Sequence, residues 1–219
     1  MSTTAGFDLA VQLSEQLLNR ILIAIYLKEV IPHFISKAFN YAGYTGKADV
    51  VLKPPAINFD VTAPGLSNPV EMRFPLRVTA KITSPAPQAF TIDTELAVTA
   101  EVENKTELYT EGQQQQTLNY VDISFANVPD NRFTVNIKEN KYKIYEPVVK
   151  YLVMQVLKTQ VVSLPLSPVT KSESGAGGPA FKAMHLKVVN DTTPSDMDFL
   201  ALLVNVEGLQ TPLHPIVTP

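Results

Sequence analysis

Residues 14–40 read SEQLLNRILIAIYLKEVIPHFISKAFN, and the way this stretch folds constrains everything after it. At its centre lies the unbroken apolar run Ile21–Leu27. A helix resting on a protein surface carries an apolar and a polar stripe. Here the polar stripe fades after Arg20 and returns at Glu29, His33, Ser36, Lys37 and Asn40. Read as one helix, it is apolar on every side and has to be surrounded. Ser14 suits the N-cap, because its hydroxyl can accept from an unpaired first-turn amide. Glu15 follows at the positive end of the helix dipole. Leu13 and Leu18 occupy the hydrophobic-staple positions, while Leu17 stands where a capping box wants Glu or Gln. Asn40 and Gly43 would supply left-handed stops. About 26 helical residues would extend ~39 Å. Pro32 removes a backbone bond, so a kink near Lys28–Pro32, or two consecutive helices, is expected.

Outward from that stretch the pattern is β. Before it, Phe7, Leu9, Val11 and Leu13 alternate with Asp8, Ala10 and Gln12, a strand with one buried face. After it come short strands at 47–53 and 56–62, separated by Pro54-Pro55. Met72, Phe74, Leu76, Val78, Ala80 and Ile82 then form one apolar face, and Phe90 to Val102 repeat the pattern after Pro85-Ala86-Pro87. Pro75 cannot donate to a ladder, which places it at an edge or bulge. These two strands are about twice the usual 5–6 residues. Strands at 117–125 and 132–138 follow. The period then returns to helical through Tyr145, Val148, Val149, Leu152, Val153, Val156 and Leu157, with Pro147 at the first turn. An extended segment at 161–166, a flexible-linker composition at 172–179 and strands at 181–189 and 199–206 complete the order, ahead of a Pro-rich extended tail, 209–219.

Composition sets bounds. The 219 residues are 45% hydrophobic and 18% charged, enough apolar content for a folded domain. A net charge of −3 gives no electrostatic footprint for nucleic acid. The absence of cysteine removes disulfides, thiolate metal sites and cysteine nucleophiles. The first residues lack a basic region followed by an apolar core, and Ile21–Leu27 is too short to span a bilayer. Synthesis in the cytoplasm is the expectation, with any release by a non-classical route. The sequons at Asn104 and Asn190 then read as chance matches.

No catalytic constellation stands out. His33, His185 and His214 accompany neither a Gly-x-Ser-x-Gly elbow nor a His-Glu-x-x-His pair. Asp191, Asp196 and Asp198 lack the Gly and terminal Glu of an EF-hand loop. Gly175–Gly178 lacks phosphate-loop spacing and its Lys. The expectation is no enzyme, no metal and no cofactor.

The economical α+β arrangement is a long, antiparallel, highly curved sheet wrapped around the long N-terminal helix, with a second, C-terminal helix. The 219 residues would form a single domain. This order resembles the tubular lipid-binding superfamily, which includes bactericidal/permeability-increasing-like proteins and synaptotagmin-like lipid-binding domains. Within it the opening Phe7-Asp8-Leu9-Ala10-Val11-Gln12-Leu13-Ser14, running into Leu17-Leu18-Asn19-Arg20-Ile21, looks most like the P47 and OrfX proteins of clostridial toxin gene clusters. The resemblance implies binding of a lipid or other hydrophobic ligand, often in an apolar channel, and implies no catalysis. A fold does not by itself fix a function.

Two readings follow. In the first, the chain is a non-enzymatic module sheltering an acyl chain or similar apolar ligand. Leu18, Leu22, Ile25 and Phe34 from the helix, Phe74 and Phe90 from the sheet, and Leu152 and Val156 from the second helix would line the channel. In the second, the interior is filled, as protein interiors normally are, and the chain is a protein-interaction or scaffold subunit. The apolar segment Phe199–Val206 would then be an exposed edge that pairs with a partner or a second copy.

Overall fold

The computed structural model describes residues 9–29, 31–111, 114–165, 180–189 and 198–207. The expected loop at 172–179 and the tail at 209–219 lie outside the described residues. Within them the chain runs β1 (Leu9–Ser14), α1 (Glu15–Leu27), β2 (Phe34–Tyr41), β3 (Tyr44–Leu52), β4 (Ala56–Asn58), β5 (Pro69–Ser84) and β6 (Gln88–Glu111). It continues with β7 (Gln114–Ser124), β8 (Phe133–Asn136), α2 (Glu146–Leu157), β9 (Val161–Pro165), β10 (Ala180–Val189) and β11 (Phe199–Glu207).

The stretch at 14–40 is not one long helix. The start is as expected: the Leu17 amide donates to Ser14 Oγ at 3.2 Å. But α1 has 13 residues, about 20 Å, and closes at Leu27. Lys28 N–H donates back to Ala24 and Ile25, and Glu29 takes a left-handed φ of 58° that ends the helical path. Pro32 then favours extended backbone before it. His33 begins a strand connection, its carbonyl accepting from Leu52 N at 2.9 Å. In β2 the apparent helical polar stripe resolves into period two. Ile35 and Phe39 face the core, while Phe34, Ser36, Ala38 and Asn40 face out. Tyr41 pairs with Tyr44, leaving Ala42 (φ 53°) and Gly43 (φ 81°) as a two-residue turn with both φ positive. Gly43 therefore turns a hairpin; it does not stop a helix.

Two long strands form the spine. β5 and β6, 16 and 24 residues, pair from Pro69–Glu101 to Ile82–Gln88. Each is long enough to serve two neighbours in succession on its other side. β5 pairs with β4 at residues 71–73 and with β3 at 76–84. β6 pairs with β8 at 95–98 and with β7 at 102–111. The result is an eight-stranded antiparallel curled sheet. Pro75 sits inside it, at neither an edge nor a bulge. Its carbonyl accepts from Lys53 N at 2.9 Å, so its missing N–H faces the gap between β3 and β4, where no donor is needed.

The alternation read from the sequence holds along both spine strands. Val70, Met72, Phe74, Leu76, Val78, Ala80 and Ile82 of β5 are buried with Phe90, Ile92, Leu96, Val98, Ala100 and Val102 of β6. A three-stranded sheet, in the order β1-β11-β10, adds Leu200 and Leu202 to the same core. Here β11 lies between two neighbours and is not the exposed edge expected. Leu200, Ala201, Leu202 and Leu203 are all buried, so both faces are covered, and the absence of polar relief reflects a central strand.

Strand β2, at one end of the path β2-β3-β5-β6-β7-β9, carries Lys37 between Ile35 and Phe39 on its inner side, exposed. A charge on the inner face of an edge discourages pairing with another chain.

Candidate functional site

Helix α2 is apolar on two faces. Val148, Val149, Leu152, Val153 and Leu157 enter the core. Pro147, Lys150, Tyr151 and Met154, at i, i+3, i+4 and i+7, form a second stripe along a groove of about 580 Å³. Opposite this stripe β8 contributes Phe133, Thr134 and Val135, and the 3-10 turn Asn140–Tyr145 contributes Lys143 and Ile144. Tyr41, from the end of β2, borders the groove and stacks on Tyr151, centroids 4.3 Å apart and planes 6° apart. Ile144 is 57% exposed, an apolar side chain left on the rim. Its volume falls within the roughly 300–1,000 Å³ of small-molecule sites, and its lining mixes apolar side chains with the charged Asp130, Lys143, Glu146 and Lys150.

The polar groups differ in how they are engaged. Asp130 Oδ1 accepts from Lys158 Nζ at 2.6 Å, and this contact holds its carboxyl below the usual carboxylate range. Glu146 Oε1 accepts from the Ile137 amide at 3.2 Å. Lys143 and Lys150 form no ion pair among the described residues. Beside the groove, Tyr145 is buried against Phe90 and Tyr44 and donates to Gln88 Oε1 at 2.7 Å; burial pushes its phenol above the usual value.

The side chains expected along a channel take various places. Leu18, Leu22, Phe74, Phe90 and Leu152 are buried in one continuous core cluster, and Ile25 and Val156 pack against it partly buried. Phe34 does not come from a helix: it lies on the outer face of β2, 58% exposed, opposite Val51. Nor is α1 surrounded on every side. Leu18 and Leu22 are buried, but Leu17 and Ile23 are 43% and 44% exposed and Leu27 is 70% exposed. The helix lies against β4 instead, where the Asn19 amide bonds both backbone groups of Ile57 (2.7 and 3.1 Å) and Glu15 accepts from Phe59 N. His33 is fixed structurally: its ring stacks on Tyr26 at 3.8 Å, with Nε2 2.6 Å from the Tyr26 carbonyl oxygen. Of the groove residues on α2, the sequence pattern singles out Pro147 at the first turn, but not the stripe of Tyr151 and Met154. The contributions of Tyr41 and β8 come from distant strands.

No family model matches the sequence, and no curated protein matches it. The fold, a strand-dominated curled antiparallel sheet carrying two helices, is P47-like. The solved structure of P47 from Clostridium botulinum A2 aligns with a TM-score of 0.50 and 13% identity, covering 94% of this chain. The chain spans 46% of P47, about half its length. Among the described residues, no helix is long and apolar enough to cross a membrane.

Proposed function

We propose that this chain is a non-enzymatic binding protein that shelters the apolar part of a lipid or similar hydrophobic ligand in the groove between α2, β8 and Tyr41. The carrying observation is the groove itself: about 580 Å³, bordered by Val135, Ile144 and Tyr151 where the core residues Phe133 and Met154 reach its edge. Removing an acyl chain from water there would yield ~0.8 kcal/mol per buried methylene. On this reading the P47-like fold belongs with the tubular lipid-binding proteins, and the chain is an accessory protein of a toxin gene cluster. The groove replaces the axial channel because α1 leaves Ile23 and Leu27 to solvent.

The test is to extract freshly purified protein with organic solvent, weigh the extract by mass spectrometry, and titrate the protein with a fluorescent fatty acid. Stoichiometric lipid, or saturable binding that Thr134→Trp abolishes by filling the groove, supports the reading. A clean extract with no probe binding overturns it.

A second reading, a protein-interaction subunit, is favoured by the outward face of α1. Leu17, Ile23 and Leu27 stand exposed on a 13-residue helix, with the exposed Arg20 among them, as apolar side chains of the kind that partners cover. A second copy of the chain is the partner taken here. Sedimentation showing a monomer at every concentration argues against it.

A further inference from the structure

We propose that the free edge of β8 is a docking site for an extended peptide segment of a partner protein, which adds there as a short strand in the groove between β8 and α2. The inference goes beyond the lipid reading and does not depend on it. It rests on backbone groups to which an acyl chain offers no partner.

Strand β8 pairs with one neighbour, β6, over Phe133–Asn136. Along an antiparallel strand the backbone N–H and C=O groups face the neighbour at every second residue and face away at those between. Four contacts fix the alternation here. Pro75 lies opposite Glu95 and gives its carbonyl to Lys53 N, away from β6, so the backbone groups of Glu95 turn towards β8. Asn136, opposite Glu95 on the other side, presents its carbonyl to Thr94 Oγ1 of β6 at 2.7 Å. Phe133 N–H turns away from β6 to the Asp130 carbonyl. Ile137 N–H also turns away, to Glu146 Oε1 at 3.2 Å. Val135 lies midway between these last two, so its N–H and C=O point away from β6 as well, on the side where Glu146 begins α2. Among the described residues, nothing bonds them.

Val135 lines the groove of about 580 Å³ together with Thr134, Ile144 and Tyr151. The Asp130 turn closes one end of the edge and Glu146 the other, which confines pairing to the residues between and guards against open-ended association. A strand added here exchanges two N–H···O bonds between Val135 and the residue opposite it. Opposite residues share a face, so that residue's side chain falls on the side of Val135, within the groove. Its neighbours fall on the side of Thr134, which is exposed. The edge therefore selects an apolar residue between two polar ones in an extended chain. In strand addition of this kind, main-chain bonds hold the segment and alternate side chains choose it. A helical segment, its backbone groups already bonded, would leave Val135 unpaired.

The probe is the acetylated, amidated pentapeptide Lys-Thr-Ile-Thr-Glu, titrated to millimolar concentration into isotope-labelled protein and followed by NMR. Binding should shift the Val135 amide and slow its exchange with solvent. The same peptide N-methylated at its isoleucine, which lacks the donor, should bind at least about fivefold more weakly. Val135→Pro removes the N–H from the protein side, and proline is tolerated where an edge strand's N–H faces outward. Its affinity for the unmodified peptide should fall by about the same factor, with circular dichroism checking the fold. Should that variant not fold, the N-methylated peptide on the wild type still decides. No shift at millimolar peptide overturns the proposal. So do equal affinities with and without N-methylation, or shifts centred on β9 with Val135 unmoved. Fatty-acid binding by the wild type is a separate measurement, so the lipid reading stands or falls independently.

Discussion

Tyr41 and Tyr151 stack almost parallel, 4.3 Å between ring centroids, and by doing so join the free end of hairpin β2–β3 to the outer face of α2. Both rings line the groove beside α2. An aromatic pair contributes ~0.5–1.5 kcal/mol beyond its buried area. Tyr41→Ala should therefore lower stability by about 1 kcal/mol in urea unfolding. It should also weaken binding of a fluorescent fatty acid, whereas Tyr41→Phe should preserve both. Loss of stability with unchanged probe binding would detach this ring from the site.

Asn19 anchors α1 to β4 through two bonds to one residue, Ile57 N to Oδ1 at 2.7 Å and Nδ2 to Ile57 O at 3.1 Å. Asn19→Ala leaves a part-buried amide and carbonyl without partners, at a cost of about 1–3 kcal/mol. Asn19→Asp keeps the acceptor and loses the donor, so its denaturation midpoint should fall between wild type and Ala.

The two faces of α1 make opposite predictions. Leu22 is fully buried, and Leu22→Ala should cost ~2–5 kcal/mol. Ile23→Ser and Leu27→Ser change exposed positions and should stay within about 0.5 kcal/mol of wild type. If the helix serves as an interface, the serine pair should instead lower the sedimentation coefficient at high concentration while the unfolding curve stays put.

Gly46 and Gly43 also separate two causes. A methyl group at Gly46 would collide with the Lys81 carbonyl oxygen on the adjacent strand, beside the irregularity between Thr45 and Gly46. At Gly43 the space is open and only the positive φ resists. Gly46→Ala should cost ~1–3 kcal/mol by overpacking. Gly43→Ala should cost only about 1 kcal/mol, from backbone strain.

Asp130 predicts a pH dependence. Lys158 depresses the carboxyl's value in the folded state relative to the unfolded chain, where it is about 4. The contribution is therefore present above that unfolded value and is lost as pH falls through the lower folded one. The wild type and Asp130→Asn should differ slightly in unfolding midpoint near neutrality, and the difference should close below about pH 4. A gap that widens with acid would contradict the assignment.

The period-two apolar faces of β5 and β6, the helical face Val148–Leu157 and the Ser14 cap are all local patterns, written in residues a few positions apart. They were legible because burial of one face imposes a fixed spacing on a strand or helix. The end of α1 was not legible, because Ile31, Ile35 and Phe39 suit a helix and a strand equally. The choice was made by β3, whose Val50 and Leu52 complete the same buried face. The edge was misread for the same reason: Phe199–Val206 looks sticky alone and is central only once β1 and β10 flank it. The groove is more non-local still, built from Tyr41, Phe133 and Met154, which meet only when hairpin, sheet and helix have packed. Spacing along a chain encodes which face is buried; which surface buries it is settled by long-range pairing.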